Sequence, residues 1–450
     1  MFKKEFAPII IILIIAILVV GGVSSYKYFT YKPQTGETNE GVSTTTIFQG
    51  DNVVEANNQF SLDLYNKYSA AKKEDENIFF SPFSISSAIA MVYEGAKGKT
   101  AEEIQSVFHF PAEVKVLREG YQNIYNNINN NNNESKTDLS IFQAEGYKLN
   151  TANALWVQNN YQLLDDYLTT LQQYYAGKAT NVDFKNSTEE ARQTINKWVE
   201  SKTNDRIKNL FPQGSLGNMT RFVLTNAIYF KGQWGSRFAK SSTEEKDFKM
   251  TSLLKTKAEM MNQTSHYKHA KLRDLQLLQL SYIGYSGELL SMLVILPKDN
   301  DISSIEKNFN MQTLSEWVSD LEVHKVNVSL PKFKIETTEN VGNDLKAMGM
   351  PAAFSETANF SGITGTQGLY IDKVLHKTFI ENKEDGTEAA AATGMIMNPI
   401  GGLPPREKTY IFNADHAFIF LIQQQTRENR DRNELGNILF IGRVSNPSEN

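Results

Sequence analysis

Glu384-Asp385-Gly386-Thr387-Glu388-Ala389-Ala390-Ala391-Ala392-Thr393-Gly394-Met395-Ile396-Met397-Asn398-Pro399-Ile400-Gly401-Gly402-Leu403-Pro404-Pro405 is the stretch on which the reading of this chain turns. It opens with an acidic pair and a glycine and runs through five small residues, Ala389 to Thr393. It then passes into a Met-, Ile- and Gly-rich segment that Pro404-Pro405 closes. Small uncharged side chains fit a strand where space is tight, and no proline stands among them to remove a ladder hydrogen bond. The segment that follows suits exposed bait for a protease. One stretch is therefore suited to two places, a loop outside the body and a strand inside it.

The surrounding composition is that of a globular protein, with 450 residues, 40% apolar and 22% charged. That length allows two or three domains or one large one. A net charge of −5 on so long a chain argues against a nucleic-acid partner. The absence of cysteine excludes disulfides, thiolate nucleophiles, cysteine-held zinc and thiol-linked lipid. Stability must come from the core, and 26 Phe and 19 Tyr make an aromatic-rich one.

Lys3 and Lys4 precede an uncharged apolar run from Phe6 to Val23, close to the roughly 20 residues that a bilayer-spanning helix needs. The basic flank lies on the N-terminal side, which places the body on the outer face of the membrane. Residues 1–23 read as a retained anchor or a cleaved signal segment, and the length of the run favours the anchor. The body is then held at the extracellular face of the cytoplasmic membrane, or secreted if the segment is removed. Residues 24–51 are polar and read as a spacer. Residues 52–450 read as the folded domain.

Within that domain helices come first. Asn57 to Lys72 shows helical spacing, and Ser84 to Tyr93 is apolar on most sides after Ser81-Pro82, as expected of a buried helix. Thr100-Ala-Glu-Glu has the form of a capping box, and Asn126 to Asn133 reads as a loop or frayed helix end. Helices are expected over Leu163 to Ala176 and from Thr188, and strands at Ala152 to Gln158, Asn181 to Phe184 and Phe222 to Phe230. Strands dominate the second half: a pair in 276–296, then Asn327 to Ile335, Leu369 to Ile380, Tyr410 to Gln423 and Asn437 to Val444. With no repeat or long linker, this is one large α+β unit.

These segments, in this order, resemble the serpin family across essentially all of residues 52 to 448. The resemblance is carried by Asn77-Ile-Phe-Phe-Ser-Pro-Phe-Ser-Ile, Gly95-Ala-Lys-Gly-Lys-Thr-Ala-Glu-Glu-Ile, Asn153-Ala-Leu-Trp-Val, Ile195-Asn-Lys-Trp-Val and Thr225-Asn-Ala-Ile-Tyr-Phe-Lys-Gly-Gln-Trp. Ala358-Asn-Phe-Ser-Gly-Ile, His376-Lys with the stretch from Glu384, Phe412-Asn-Ala-Asp-His-Ala-Phe-Ile-Phe and Phe440-Ile-Gly-Arg-Val-Ser-Asn-Pro complete it. The resemblance implies three β-sheets, about nine helices and an exposed reactive-centre loop. It implies a monomeric suicide-type inhibitor of serine, or cysteine, proteases that is not an enzyme and needs no cofactor or metal. The native state would be metastable. A target protease cuts the loop and is acyl-linked to it, and the loop then enters the central sheet. With its N-terminal segment the chain resembles a prokaryotic, membrane-anchored or exported member. The alternative is a non-inhibitory serpin-fold binding module.

By the same resemblance Glu384, Gly386, Thr387, Glu388, Ala389, Ala390, Ala391, Ala392 and Thr393 form the loop hinge. Ser81, Ser84, Asn226 and His376 form a hydrogen-bond cluster under the central sheet that must rearrange on insertion, and Trp234 lies where insertion starts. The reactive bond falls at Ile400-Gly401 by the count forward from Gly386, and near Arg406 by the count back from Asp415-His416-Ala417-Phe418. A branched aliphatic at the cut favours elastase-like or subtilisin-like proteases; Arg406 would favour a trypsin-like one. Ala417 stands where the family usually has proline, and Phe379-Ile-Glu-Asn-Lys replaces the usual Val-rich lead into the hinge. His266 and His269 carry no metal reading beyond chance. His416 beside Asp415 suggests a triad, but no Gly-x-Ser-x-Gly elbow accompanies it.

Overall fold

The computed structural model describes residues 52–134, 147–283, 288–387 and 407–448. The apolar run from Phe6 to Val23 lies outside them. Among the described residues no helix is long and apolar enough to cross a membrane.

The helix Pro82–Tyr93 shows why its sequence reads as buried. Ser81 caps it, its hydroxyl oxygen accepting from Ser84 N–H at 3.2 Å, and Pro82 occupies the first turn, where no N–H is needed. Every residue from Pro82 to Val92 is buried. Its serines are tolerated inside because each is bonded there; Ser86 pairs with the Tyr121 hydroxyl at 2.7 Å and Ser87 donates to the Ser84 carbonyl at 3.0 Å. The capping-box reading of Thr100 is corrected: the helix begins at Gly98, and Lys97 precedes it without a side-chain cap. Thr100 is instead buried, and its hydroxyl accepts from Asn359 N–H at 3.0 Å. The asparagine-rich stretch belongs to the helix Val114–Glu134.

Six strands form the central sheet, in the order Phe333–Asn340, Lys373–Lys383, Gly386–Thr387, Phe222–Gln233, Lys148–Gln158, Lys178–Val182. One face packs on the main core, with Leu224, Ile228 and Phe230 among its contributors. The other face is covered by the helix Thr188–Lys202. Ala191, Ile195 and Val199 of this helix form a second apolar cluster with Ala152, Ala154, Trp156, Val223 and Ala227 of the sheet. The indoles of Trp156 and Trp198 meet edge to face at 5.6 Å.

The remaining strands among the described residues form one nine-stranded sheet. Two separate sheets were expected there, and the strand Lys255–Lys271 explains the difference. Over its 17 residues it pairs in turn with Thr243–Lys249, Glu322–Pro331 and Leu275–Ser281, joining what a shorter strand would leave apart. Its Lys, Glu, Gln and Thr content hides it from an apolar-pattern reading. Eleven α-helices occur among the described residues, two more than the approximate expectation, and three of them have five residues or fewer, Ile302–Glu306, Ser361–Thr364 and Arg427–Asp431. The α+β fold stands.

Candidate functional site

Lys373–Lys383 lies parallel to Phe222–Gln233 from Lys373 opposite Val223 to Phe379 opposite Tyr229. Above Phe379 the two strands part, and Gly386–Thr387 fills the gap. It pairs antiparallel on both sides, with Gly386 between Lys383 and Gln233 and Thr387 between Asn382 and Gly232. Glu388, Ala389, Ala390, Ala391, Ala392 and Thr393, and both candidate cut sites, Ile400-Gly401 and Arg406, lie outside the described residues.

Residue 386 has to be glycine for two reasons. Its φ of 141° lies in the region that favours glycine. A Cβ there would also stand 2.1 Å from the Gly232 carbonyl oxygen and 2.6 Å from Gln233 Cα. The chain entering it is held by three successive carbonyls. Lys383 O accepts from Trp234 Nε1 at 3.0 Å, Glu384 O from Phe238 N at 3.0 Å, and Asp385 O from Trp234 N at 3.1 Å. Trp234 is buried and stacks on Tyr282 at 4.5 Å with 14° between planes. The Tyr282 hydroxyl meets Thr387 Oγ1 at 2.9 Å, so Thr387 faces the core.

Glu384 is itself buried. Its carboxylate accepts from Thr243 Oγ1 at 2.9 Å and pairs with Lys332 Nζ at 3.5 Å. Burial works against this charge, but the hydrogen bonds and Lys332 outweigh it and hold the carboxyl below its ordinary value. In the lead segment Asn382 is buried, and its amide donates to Pro331 O at 3.0 Å.

Lower in the sheet Ser81, Ser84, Asn226 and His376 meet, all with no exposed surface. His376 and Asn226 are direct cross-strand partners. Ser81 N–H donates to His376 Nε2 at 3.0 Å. That nitrogen is therefore unprotonated, and Nδ1–H donates to Asn226 Oδ1. The Asn226 amide donates to Ser84 Oγ at 2.6 Å and Asn153 Oδ1 at 2.7 Å. Asn153 in turn donates to Ser87 Oγ at 2.8 Å and the Tyr125 hydroxyl at 3.2 Å. Burial pushes the His376 imidazolium down to a pKa of about 3. The network thus ties both central strands to the buried helix through uncharged groups.

Sequence reading missed Tyr282, Lys332, Ser87 and Tyr125, which no local pattern marks; they join the site through strands and helices far apart in the chain. His266 and His269 do not come together: three positions apart in one strand, they project to opposite faces. His266 is exposed beside Glu407 at 3.1 Å, and His269 is buried. The Asp415–His416 pair is closed to triad chemistry, because His416 bonds Asp415 at 2.8 Å through Nδ1 and donates Nε2–H to Pro297 O at 2.7 Å.

The site is thus a buried two-residue strand wedged between parting strands, above a sealed polar cluster. The profile of the family described as Serpin (serine protease inhibitor) matches residues 55–447, and the chain belongs to the serpin family. Members of that family are in general protease inhibitors rather than enzymes, and membership supports protease inhibition at that level. The chain is 38% identical over 397 residues to an uncharacterized serpin-like protein of Methanosarcina acetivorans, covering 88% of this chain and 86% of that one. It is 37% identical to human leukocyte elastase inhibitor over 87% of this chain and 98% of that protein. Among solved structures, uncleaved ovalbumin matches at a TM-score of 0.73 and 29% identity, covering 88% of this chain and 100% of that one.

Gly386→Ala should expel the hinge from the sheet top. The Trp234 emission would shift to the red as its carbonyl partners leave, and an unchanged spectrum would contradict the close approach. A second expectation concerns pH. The unfolded His376 takes up a proton near 6.5 and the folded one only near 3, so the unfolded state holds the extra proton between those values. Stability is full above about 6.5 and falls as pH drops toward 3, by at most about 1.4 kcal/mol per pH unit from this group. Denaturant melts of the wild type and His376→Gln across that window should show a shallower pH slope in the variant.

Proposed function

We propose that this protein is an irreversible suicide-type inhibitor of serine proteases that works by inserting its cleaved loop into the central sheet. The observation that carries this reading is the pairing of Gly386–Thr387 with both neighbours, because it sets the register for everything behind it. Continued at that register, Thr393 takes the slot between Asn226 and His376, and Ile396 and Met397 reach Lys373 and Phe222, where the neighbouring strands begin. Thr387 faces the core, so Ala389, Ala391 and Thr393 would follow it inward. Ala390, Ala392 and Gly394 would pass beneath the helix Thr188–Lys202. Small residues therefore fall where the covering helix leaves little room. The Thr393 hydroxyl arrives where parting strands would strip a hydrogen bond from His376 and Asn226, a loss of about 1–3 kcal/mol per buried group if unreplaced. Seven parallel pairs would be exchanged for two antiparallel ladders, and antiparallel pairing is the more stable per residue.

The same register favours the cut at Ile400-Gly401. Ile400 lies three residues past Met397, so an acyl-linked protease would be pulled hard against the far end of the sheet. Arg406 would leave a slack tail, and Pro404-Pro405 before it makes a poor cut. Ile400 suits elastase-like or subtilisin-like enzymes as targets. We further propose that residues 1–23 hold the body at the extracellular face of the membrane, on the strength of the apolar length from Phe6 to Val23 and its basic flank.

Incubation with elastase-like, subtilisin-like and trypsin-like proteases should yield, with one of the first two, a complex that survives denaturing electrophoresis. The released C-terminal peptide should start at Gly401 by mass spectrometry. Cleavage without any covalent complex would refute inhibition and leave the binding-module reading; a peptide starting at Glu407 would move the bond to Arg406. Thr387→Arg should convert inhibitor to substrate, since the buried slot beside Tyr282 cannot take an unpaired charge; an unchanged complex yield would refute insertion.

A further inference from the structure

Away from the hinge, one buried histidine has a nitrogen with nothing to do. His269, near the end of the strand Lys255–Lys271, has no exposed surface, and its Nδ1 has no hydrogen-bond partner. Its Nε2 meets Gln276 Oε1 at 3.1 Å, which fixes the proton on Nε2 and leaves a lone pair on Nδ1. The neighbouring His324 has the converse arrangement. Its Nδ1 donates to the His269 carbonyl at 3.2 Å, leaving the lone pair on Nε2, which lies 3.5 Å from Glu322 Oε2. His269 and Glu322 are direct cross-strand partners, and His324 is two residues along on the same face. The imidazole centres are 5.7 Å apart with 75° between planes.

These are features of a metal-binding pair. A zinc-type ion lies roughly 2.0–2.1 Å from an imidazole nitrogen, which sets two rings sharing an ion roughly 5–6 Å apart centre to centre. Ligating histidines commonly donate their other N–H to a protein oxygen, as both do here. Burial also holds His269 below its ordinary pKa, with the Gln276 bond opposing and His324 and Lys271 adding to the effect. The two rings border a cavity of about 470 Å³ whose charged lining is balanced, Lys271 and Lys408 against Asp320 and Glu322.

We propose that His269 Nδ1, His324 Nε2 and the Glu322 carboxylate bind a divalent transition-metal ion of the zinc type. Among the described residues no three His, Cys, Asp or Glu side chains are placed so that they could hold a metal ion as they stand. Glu322, whose side chain is 78% exposed, completes the proposed set by a change of rotamer. The location gives the ion a consequence. The Tyr410 ring packs on both histidines, at 5.1 Å and 4.4 Å. Tyr410 belongs to the strand Thr409–Asn413, which comes soon after residues 388–406 in the sequence and pairs with Glu322–Pro331. A bound ion would stiffen that junction.

The test is titration of the tag-free full-length chain with Co²⁺, followed by visible d–d absorption and competition with Zn²⁺. One equivalent should bind with the intense bands of four- or five-coordination, and Zn²⁺ should abolish them. His324→Gln, at a partly exposed position that tolerates the change, should weaken binding by at least the about tenfold that even an outer-shell change costs. His266→Gln, on the opposite face, should leave it unaltered. Weak six-coordinate spectra, absence of saturation, or equal binding by the His324→Gln protein would overturn the proposal. Protease inhibition plays no part in the readout, so this site and the inhibitory reading fail separately.

Discussion

The parallel contact between Lys373–Lys383 and Phe222–Gln233 is the constraint on which the rest of the molecule is arranged. Two strands that are neighbours in the sheet are joined over seven residue pairs and held apart above them. Where they part, Gly386–Thr387 already satisfies the backbone groups that would otherwise be orphaned. The sheet therefore has three strands side by side at its top and two directly paired below. A chain that follows Thr387 meets a seam whose two edges are bonded only to each other.

What holds that seam closed is polar and internal. His376 and Asn226 bond across it, and the buried helix Pro82–Tyr93 bonds both through Ser81 and Ser84. A dry hydrogen bond of this kind is strong while intact and costly when half broken. Breaking the cluster would leave buried donors and acceptors without partners, a cost of about 1–3 kcal/mol per group. Above it, the three carbonyls of Lys383, Glu384 and Asp385 and the Glu384–Lys332 pair hold the hinge at the start of its path. Membership of the serpin family supports protease inhibition at the level of the family.

Much of the fold is legible in the residues. Ser81-Pro82 before an all-apolar run marks the buried helix, and Thr188-Glu-Glu before Ile195 and Val199 marks the covering one. The strands with apolar continuity, Phe222–Gln233 and Asn437–Val444, are equally plain. The strand Lys255–Lys271 is not, because fewer than half its residues are buried and its length is set by three successive partners rather than by its own pattern. Thr100 misleads for a related reason: its hydroxyl serves a distant backbone N–H and not its own helix.

The hinge divides in the same way. That Gly386 suits a backbone position closed to other residues is a property of residue type, readable at one position, because φ and side-chain volume are local. Which groups meet Thr387, which nitrogen of His376 carries the proton, and that His269 faces His324 rather than His266 are decided only when strands from remote parts of the chain are brought into register. Such contacts depend on pairing across the sheet, and pairing is a property of the folded whole.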